Sequence, residues 1–95
     1  MPVGFTVEIP GMTTAIYDQV MANMNWGPDN LPDGFITHYC CDKGDGLFIF
    51  DVWEKEDDWH RFSEERLGPA IAAATGGEGP RPEPRFFPLH NEEHR

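Results

Sequence analysis

The chain predicts an α+β fold with the element order β-α-β-β-α-β. Three observations carry this. Val3, Phe5, Val7 and Ile9 alternate with Gly4, Thr6 and Glu8, the period-two pattern of a strand. Ile16, Tyr17, Val20, Met21 and Met24 recur at helical spacing. Two aromatic and β-branched runs, Phe35–Asp42 and Leu47–Trp53, flank a Lys43-Gly44-Asp45-Gly46 turn and read as a hairpin. A second helix and a final strand complete a split βαβ, or ferredoxin-like, arrangement, a four-stranded antiparallel sheet with both helices on one face.

The elements follow in order. The first strand closes at Pro10-Gly11. Thr13 or Thr14 is suited to cap the first helix, with Asp18 near its positive end. Residues 25–34 are crowded with Gly, Pro, Asp and Asn and form a loop. After the hairpin, Glu54, Glu56, Asp57 and Asp58 gather where a helix begins, because negative charge suits that end of the dipole. Trp59, Phe62 and Leu67 look inward. Gly68-Pro69 breaks or kinks this helix, and Pro69 is placed to start a new turn. Ala70–Ala74 continues it as far as Gly76-Gly77. Residues 78–85 form a Pro-rich connection. Phe86–His90 reads as the last strand, at a sheet edge, because Pro88 has no amide to donate.

Composition sets the class. Ninety-five residues, 39% hydrophobic and 25% charged, fit one small globular domain. A formal net charge of -10 without a Lys/Arg cluster argues against nucleic acid and anionic membranes as partners. No apolar run approaches the roughly 20 residues of a membrane span, and no secretory leader is apparent. Cys40 and Cys41 are adjacent and point to opposite faces of a strand, so an ordinary disulfide between them is disfavoured. A reducing cytoplasm is the expected location.

The hairpin holds the best candidate site. With Lys43 opposite Gly46, His38 faces Asp51, Ile36 faces Trp53 and Cys40 faces Ile49, all on one side of the sheet. Phe35, Thr37, Tyr39, Cys41, Phe48, Phe50 and Val52 fall on the other. The first side sets a histidine and a carboxylate in an apolar wall. A carboxylate that holds an imidazole fixes its tautomer and prepares it as an acid or base. A buried pair that serves only to satisfy its own hydrogen bonds and fix the strand register has the same sequence signature. Trp53 and Tyr17 can wall a planar ligand or simply fill the core. Met21 suits an irregular pocket, and His90 ends the edge strand, within reach of a pocket mouth. No paired Cys-x-x-Cys or His-x-x-x-His spacing points to a metal, and no phosphate loop or dinucleotide fingerprint to a cofactor. The only serine, Ser63, has no glycine elbow around it. The aromatic second side is a poor neighbour for water, and pairing with a second copy of the chain would cover it.

Four short stretches, in this order along the chain, resemble the dimeric α+β barrel superfamily: Glu8-Ile-Pro-Gly-Met-Thr13, Asp51-Val-Trp-Glu54, Arg66-Leu-Gly-Pro69 and Phe87-Pro-Leu-His-Asn91. The likeness is greatest to its small single-domain members, related to antibiotic-biosynthesis monooxygenases and stress-responsive barrel proteins. The resemblance implies a homodimer with a pocket between sheet and helices in each subunit. Trp53 matches an aromatic residue that some oxygenases of this superfamily use at the end of the third strand. The asparagine that accompanies it on the first strand has no match here, and Glu8 lies nearby instead. Two functions follow as expectations. One is a metal-free enzyme of oxygenase or cyclase type acting on an aromatic or polyketide-like molecule, with His38 and Asp51 as acid and base and Trp53, Tyr17, Glu8, Met21 and His90 around the ligand. The other is a non-catalytic ligand-binding or stress-associated dimer.

Overall fold

The protein is described by a computed structural model covering residues 1–77, 79 and 81–95; Glu78 and Pro80, in the expected Pro-rich connection, lie outside the described residues. Strand β1 (Val3–Pro10) leads to helix α1 (Thr14–Asn23), then to β2 (Phe35–Asp42) and β3 (Gly46–Trp53). Helix α2 (Glu56–Phe62) runs through a π-helical turn (Ser63–Leu67) into α3 (Gly68–Thr75), and β4 (Phe87–Pro88) ends the sheet. The four strands lie antiparallel in the order β2-β3-β1-β4. This is the ferredoxin-like α+β fold that the element order predicts.

Local chemistry explains the boundaries. Thr13 caps α1, its Oγ1 accepting from Ile16 N at 3.1 Å, and Asp18 falls beyond the first turn. Asn25, with φ 53, turns the chain out of the helix. Glu56, Asp57 and Asp58 occupy the first turn of α2. The expected break at Gly68-Pro69 is instead a continuous helix that widens just before it. Gly68 N–H donates to Ser63 O, five residues back. Proline cannot bond to the carbonyl four residues earlier and its ring collides with it. A π-turn gives that carbonyl room. Pro69 then sits in the first turn of α3, as its fixed φ favours.

The last strand is shorter than the sequence suggests. Only Phe87 and Pro88 pair with β1, opposite Gly4 and Val3. Pro88 has no amide with which to extend the ladder. Phe86 turns inward instead, packing edge-on against Phe5 and Trp59 with ring centroids 4.9 and 5.7 Å away.

The hairpin register is the expected one from the turn to the site. Lys43 N–H donates to Gly46 O at 2.9 Å, and Asp42 faces Leu47, Cys40 faces Ile49 and His38 faces Asp51. The positive φ of the turn falls on Gly44 (89°) rather than on the Asp45-Gly46 pair. That is the first central residue, the one that must be positive in a type II′ turn. Gly46 already belongs to β3, where a Cβ would lie 2.7 Å from Ile9 O.

Beyond the site the register shifts. A β-bulge at Ile36 leaves Thr37 facing Val52 and Phe35 facing Trp53. The extra residue moves everything before it to the opposite face. Phe35 therefore packs under the helices, edge-on to Trp53 and Trp26 (5.6 and 5.1 Å), and not on the outer face. The outer face keeps Tyr39, Phe48 and Phe50, with Tyr39 59% exposed.

The core lies between the sheet and the helices. It comprises Phe5, Val20, Met24, Trp53, Trp59, Phe62, Ala70 and Ile71, all buried. Among the described residues no helix is long and apolar enough to cross a membrane.

Candidate functional site

A cavity of about 70 Å³ opens between sheet and helices at the level of His38. Its walls are apolar apart from three side chains, Tyr17, His38 and Asp51. The strands supply His38, Asp51 and Trp53, α1 supplies Tyr17, Val20 and Met21, and Met24 follows as its C-cap. Asp51 and Trp53 share a face because they are two apart on one strand. Tyr17 and Met21 are four apart on a helix and so sit one above the other on one face.

The three polar groups and Trp53 form one hydrogen-bonded chain. Asp51 Oδ1 lies 2.6 Å from His38 Nδ1, and Asp51 Oδ2 accepts from Trp53 Nε1 at 3.0 Å. His38 Nε2 lies 2.6 Å from the Tyr17 hydroxyl. The Tyr17 and His38 rings are near-parallel, 3° apart, and are joined tip to tip by that bond. Asp51 is 5% exposed and is the one buried charged residue of the described core. An ionised carboxylate can only accept, so a proton must sit on His38 Nδ1. Nε2 of the neutral ring is then an acceptor, and Tyr17 donates to it. Among the described residues no buried side-chain nitrogen or oxygen lacks a partner.

Burial is the main influence on Tyr17 and pushes its phenol well above the ordinary value of 10.0; negative charge at Cys40, Asp51 and Asp18 adds to the effect. The folded state therefore holds this proton after the unfolded chain has lost it. The resulting stability is complete below pH 10 and falls as pH rises through and beyond it. In Tyr39→Phe, where Tyr17 is the only tyrosine, phenolate absorbance is expected only as the protein unfolds in alkali. Ionisation near pH 10 with the fold intact would show an exposed phenol.

The expected site residues divide. The structure brings His38, Asp51, Trp53, Tyr17 and Met21 together around the cavity. Glu8 does not join them. It faces Phe48 across the β1–β3 ladder, on the outer face, and its Oε1 pairs with Lys43 Nζ at 3.0 Å. The alternation of β1 explains this: Phe5, Val7 and Ile9 line the cavity, so Glu8 must point away. His90 is exposed beyond the two-residue β4 and does not line the cavity. Trp53 is fully enclosed, so it serves the core as well as the cavity wall.

Trp26 escaped the sequence reading. It stands in a polar loop, yet it turns into the cavity, with its ring centroid 5.9 Å from Phe62 and 6.2 Å from His38. A lone tryptophan among Asn, Gly, Pro and Asp was the available signal, since such a residue seldom stays in water. Arg66 holds this region, donating to Asn30 O at 2.9 Å and to Met24 O at 3.0 Å. Among the described residues no group of three or more His, Cys, Asp or Glu side chains is placed to hold a metal ion.

No protein-family profile and no curated protein matches the sequence. Among solved structures the fold is shared with SnoaB, a cofactor-independent oxygenase from Streptomyces nogalater, determined as a mutant. The TM-score is 0.60 at 16% identity, over 96% of this chain and 95% of that one. The likeness spans both chains from end to end and establishes the ferredoxin-like α+β architecture.

Proposed function

We propose that the chain is a metal-free enzyme of oxygenase or cyclase type, moving a proton on an aromatic or polyketide-like molecule held between sheet and helices. The observation that supports this most is the Tyr17–His38–Asp51–Trp53 chain, polar from end to end, set in an otherwise apolar cavity. In this reading an acidic C–H or O–H of the ligand gives its proton to the Tyr17 hydroxyl as Tyr17 passes its own to His38 Nε2. Asp51 stabilises the imidazolium. Trp53, Met21 and Trp26 confine the ligand. The electron-rich anion left behind is what an oxygenase offers to dioxygen, or a cyclase to an internal carbonyl. The shared fold with SnoaB, named a cofactor-independent oxygenase, is in keeping with this, although a fold alone does not fix a reaction.

The direct test is proton exchange. An aromatic ketone with an enolisable C–H, incubated with protein in D2O, should take up deuterium in an NMR assay. His38→Ala should abolish the effect. A second reading, a non-catalytic ligand-binding or stress-associated dimer, is favoured by the small cavity and by the fully satisfied polar chain. Binding of the ketone without exchange would select it. Native mass spectrometry of fresh protein would show any small molecule it retains.

The same proposal includes a cytoplasmic homodimer. Two free cysteines suit a reducing compartment. Tyr39, Phe48 and Phe50 on the face opposite the helices supply the apolar surface for sheet-to-sheet packing. Light scattering at micromolar concentration should give twice the 10.8 kDa chain mass. Phe50→Glu should return a monomer. A wild-type monomer would rule out the dimer.

A further inference from the structure

Tyr17 and His38 are arranged for more than proton transfer. A phenol that loses only an electron becomes a strongly acidic radical cation. One that loses only a proton leaves a phenolate, which this half-buried site disfavours. Oxidation becomes easy when proton and electron leave together, and that needs a base already bonded to the hydroxyl. Nε2 of His38 is such a base, 2.6 Å away. Asp51 on the opposite nitrogen, also at 2.6 Å, favours the imidazolium that would form. Aromatic rings surround the pair: Trp26 is 6.2 Å from His38, and both Trp26 and Trp53 line the same cavity.

We infer that Tyr17 with His38 is a one-electron, one-proton donor, able to reduce a radical of a hydroxylated aromatic ligand held in the cavity. In this step the Tyr17 O–H bond breaks. The proton goes to the lone pair of His38 Nε2, and one electron goes to the ligand. A phenoxyl-type radical becomes a phenolate, neutral Tyr17 becomes a neutral tyrosyl radical, and His38 gains the positive charge. Atoms and charge balance. This redox role goes beyond the proton-transfer reading and does not depend on it, because an inorganic oxidant can replace the ligand.

The chain offers an internal comparison, since its other tyrosine, Tyr39, is 59% exposed on the outer face, away from His38. The experiment oxidises the full-length protein with flash-generated ruthenium(III) tris(bipyridine) and follows the radical by electron paramagnetic resonance and transient absorption. Ring-deuterated tyrosine separates tyrosyl from tryptophanyl signals. Tyr39→Phe should keep a long-lived tyrosyl radical, and Tyr17→Phe should lose it. Within the Tyr39→Phe background the radical should form more slowly in D2O. There, His38→Gln should slow its formation about tenfold or more, the kinetic equivalent of about 1.4 kcal/mol. The inference is overturned if the long-lived radical survives Tyr17→Phe at full size. It is equally overturned if the Tyr39→Phe rate ignores both D2O and His38→Gln. Should His38→Gln fail to fold, the D2O comparison on folded Tyr39→Phe decides alone. Loss of ketone exchange with retention of this radical would sink the proton-transfer proposal and leave this one standing.

Discussion

Asp51→Asn is expected to lower turnover by about 100- to 10,000-fold, the usual span of a general acid–base contribution, while changing ligand affinity only slightly. The substitution keeps the shape. Its amide has one acceptor oxygen and one donor nitrogen, where the carboxylate had two acceptors. Trp53 Nε1–H needs the acceptor. The amide nitrogen then faces His38 Nδ1 and forces the ring proton onto Nε2. In that tautomer Nε2 can no longer receive a proton from Tyr17, so charge and tautomer are lost together. Steady-state kinetics on any substrate revealed by ligand retention would check this. Near-normal turnover in both Asp51→Asn and His38→Ala would make the pair structural.

Trp53→Ala is expected to act first on stability, and only through it on binding. From the sequence alone Trp53 can be either a wall for a planar ligand or a core residue. The structure leaves none of Trp53 exposed and packs it against Phe35 and Phe62. Removing a buried tryptophan costs about 3–5 kcal/mol. A small domain has only about 5–15 kcal/mol in total, so a large share of its stability would go. Trp53→Phe separates the contributions. It fills most of the space but leaves Asp51 Oδ2 without its donor, which costs about 1–3 kcal/mol. Urea denaturation of the three proteins should rank them wild type, Phe, Ala. An Ala variant as stable as wild type would contradict the packing described for Trp53.

What could be read in the sequence was whatever depends on neighbours along the chain. Alternation placed β1 and the hairpin, and a four-residue turn set the register that brings His38 to Asp51. What could not be read depends on residues that break periodicity or meet across the fold. The bulge at Ile36 has no distinctive residue, and it carried Phe35 to the side opposite the one that strict alternation gives. The π-turn answers a steric demand of Pro69 that sequence spacing alone registers as a break. Tyr17 was visible as one member of an apolar stripe. Its hydroxyl bond to His38 depends on how α1 lies over the sheet, which no local pattern records. Glu8 departs from its expected place for a different reason. The alternation of its own strand points it outward, against the place that the resembling motif implies.

The neighbouring cysteines give the sheet a built-in pair of labels. Cys40 faces Ile49 on the cavity side and Cys41 faces Phe48 on the other. Burial, then the nearby Cys41 and acidic side chains, raises the Cys40 thiol and suppresses its reactive thiolate, whereas Cys41 is exposed. A limiting amount of an alkylating dye should therefore mark one position only, a single residue from the histidine strand's inner surface yet separated from it by the thickness of the backbone. Dye on Cys41 would report what covers the outer face, and slower, later modification of Cys40 would report access to the helix-facing side of the sheet. The covering of each face of the sheet could thus be timed in one unmutated chain.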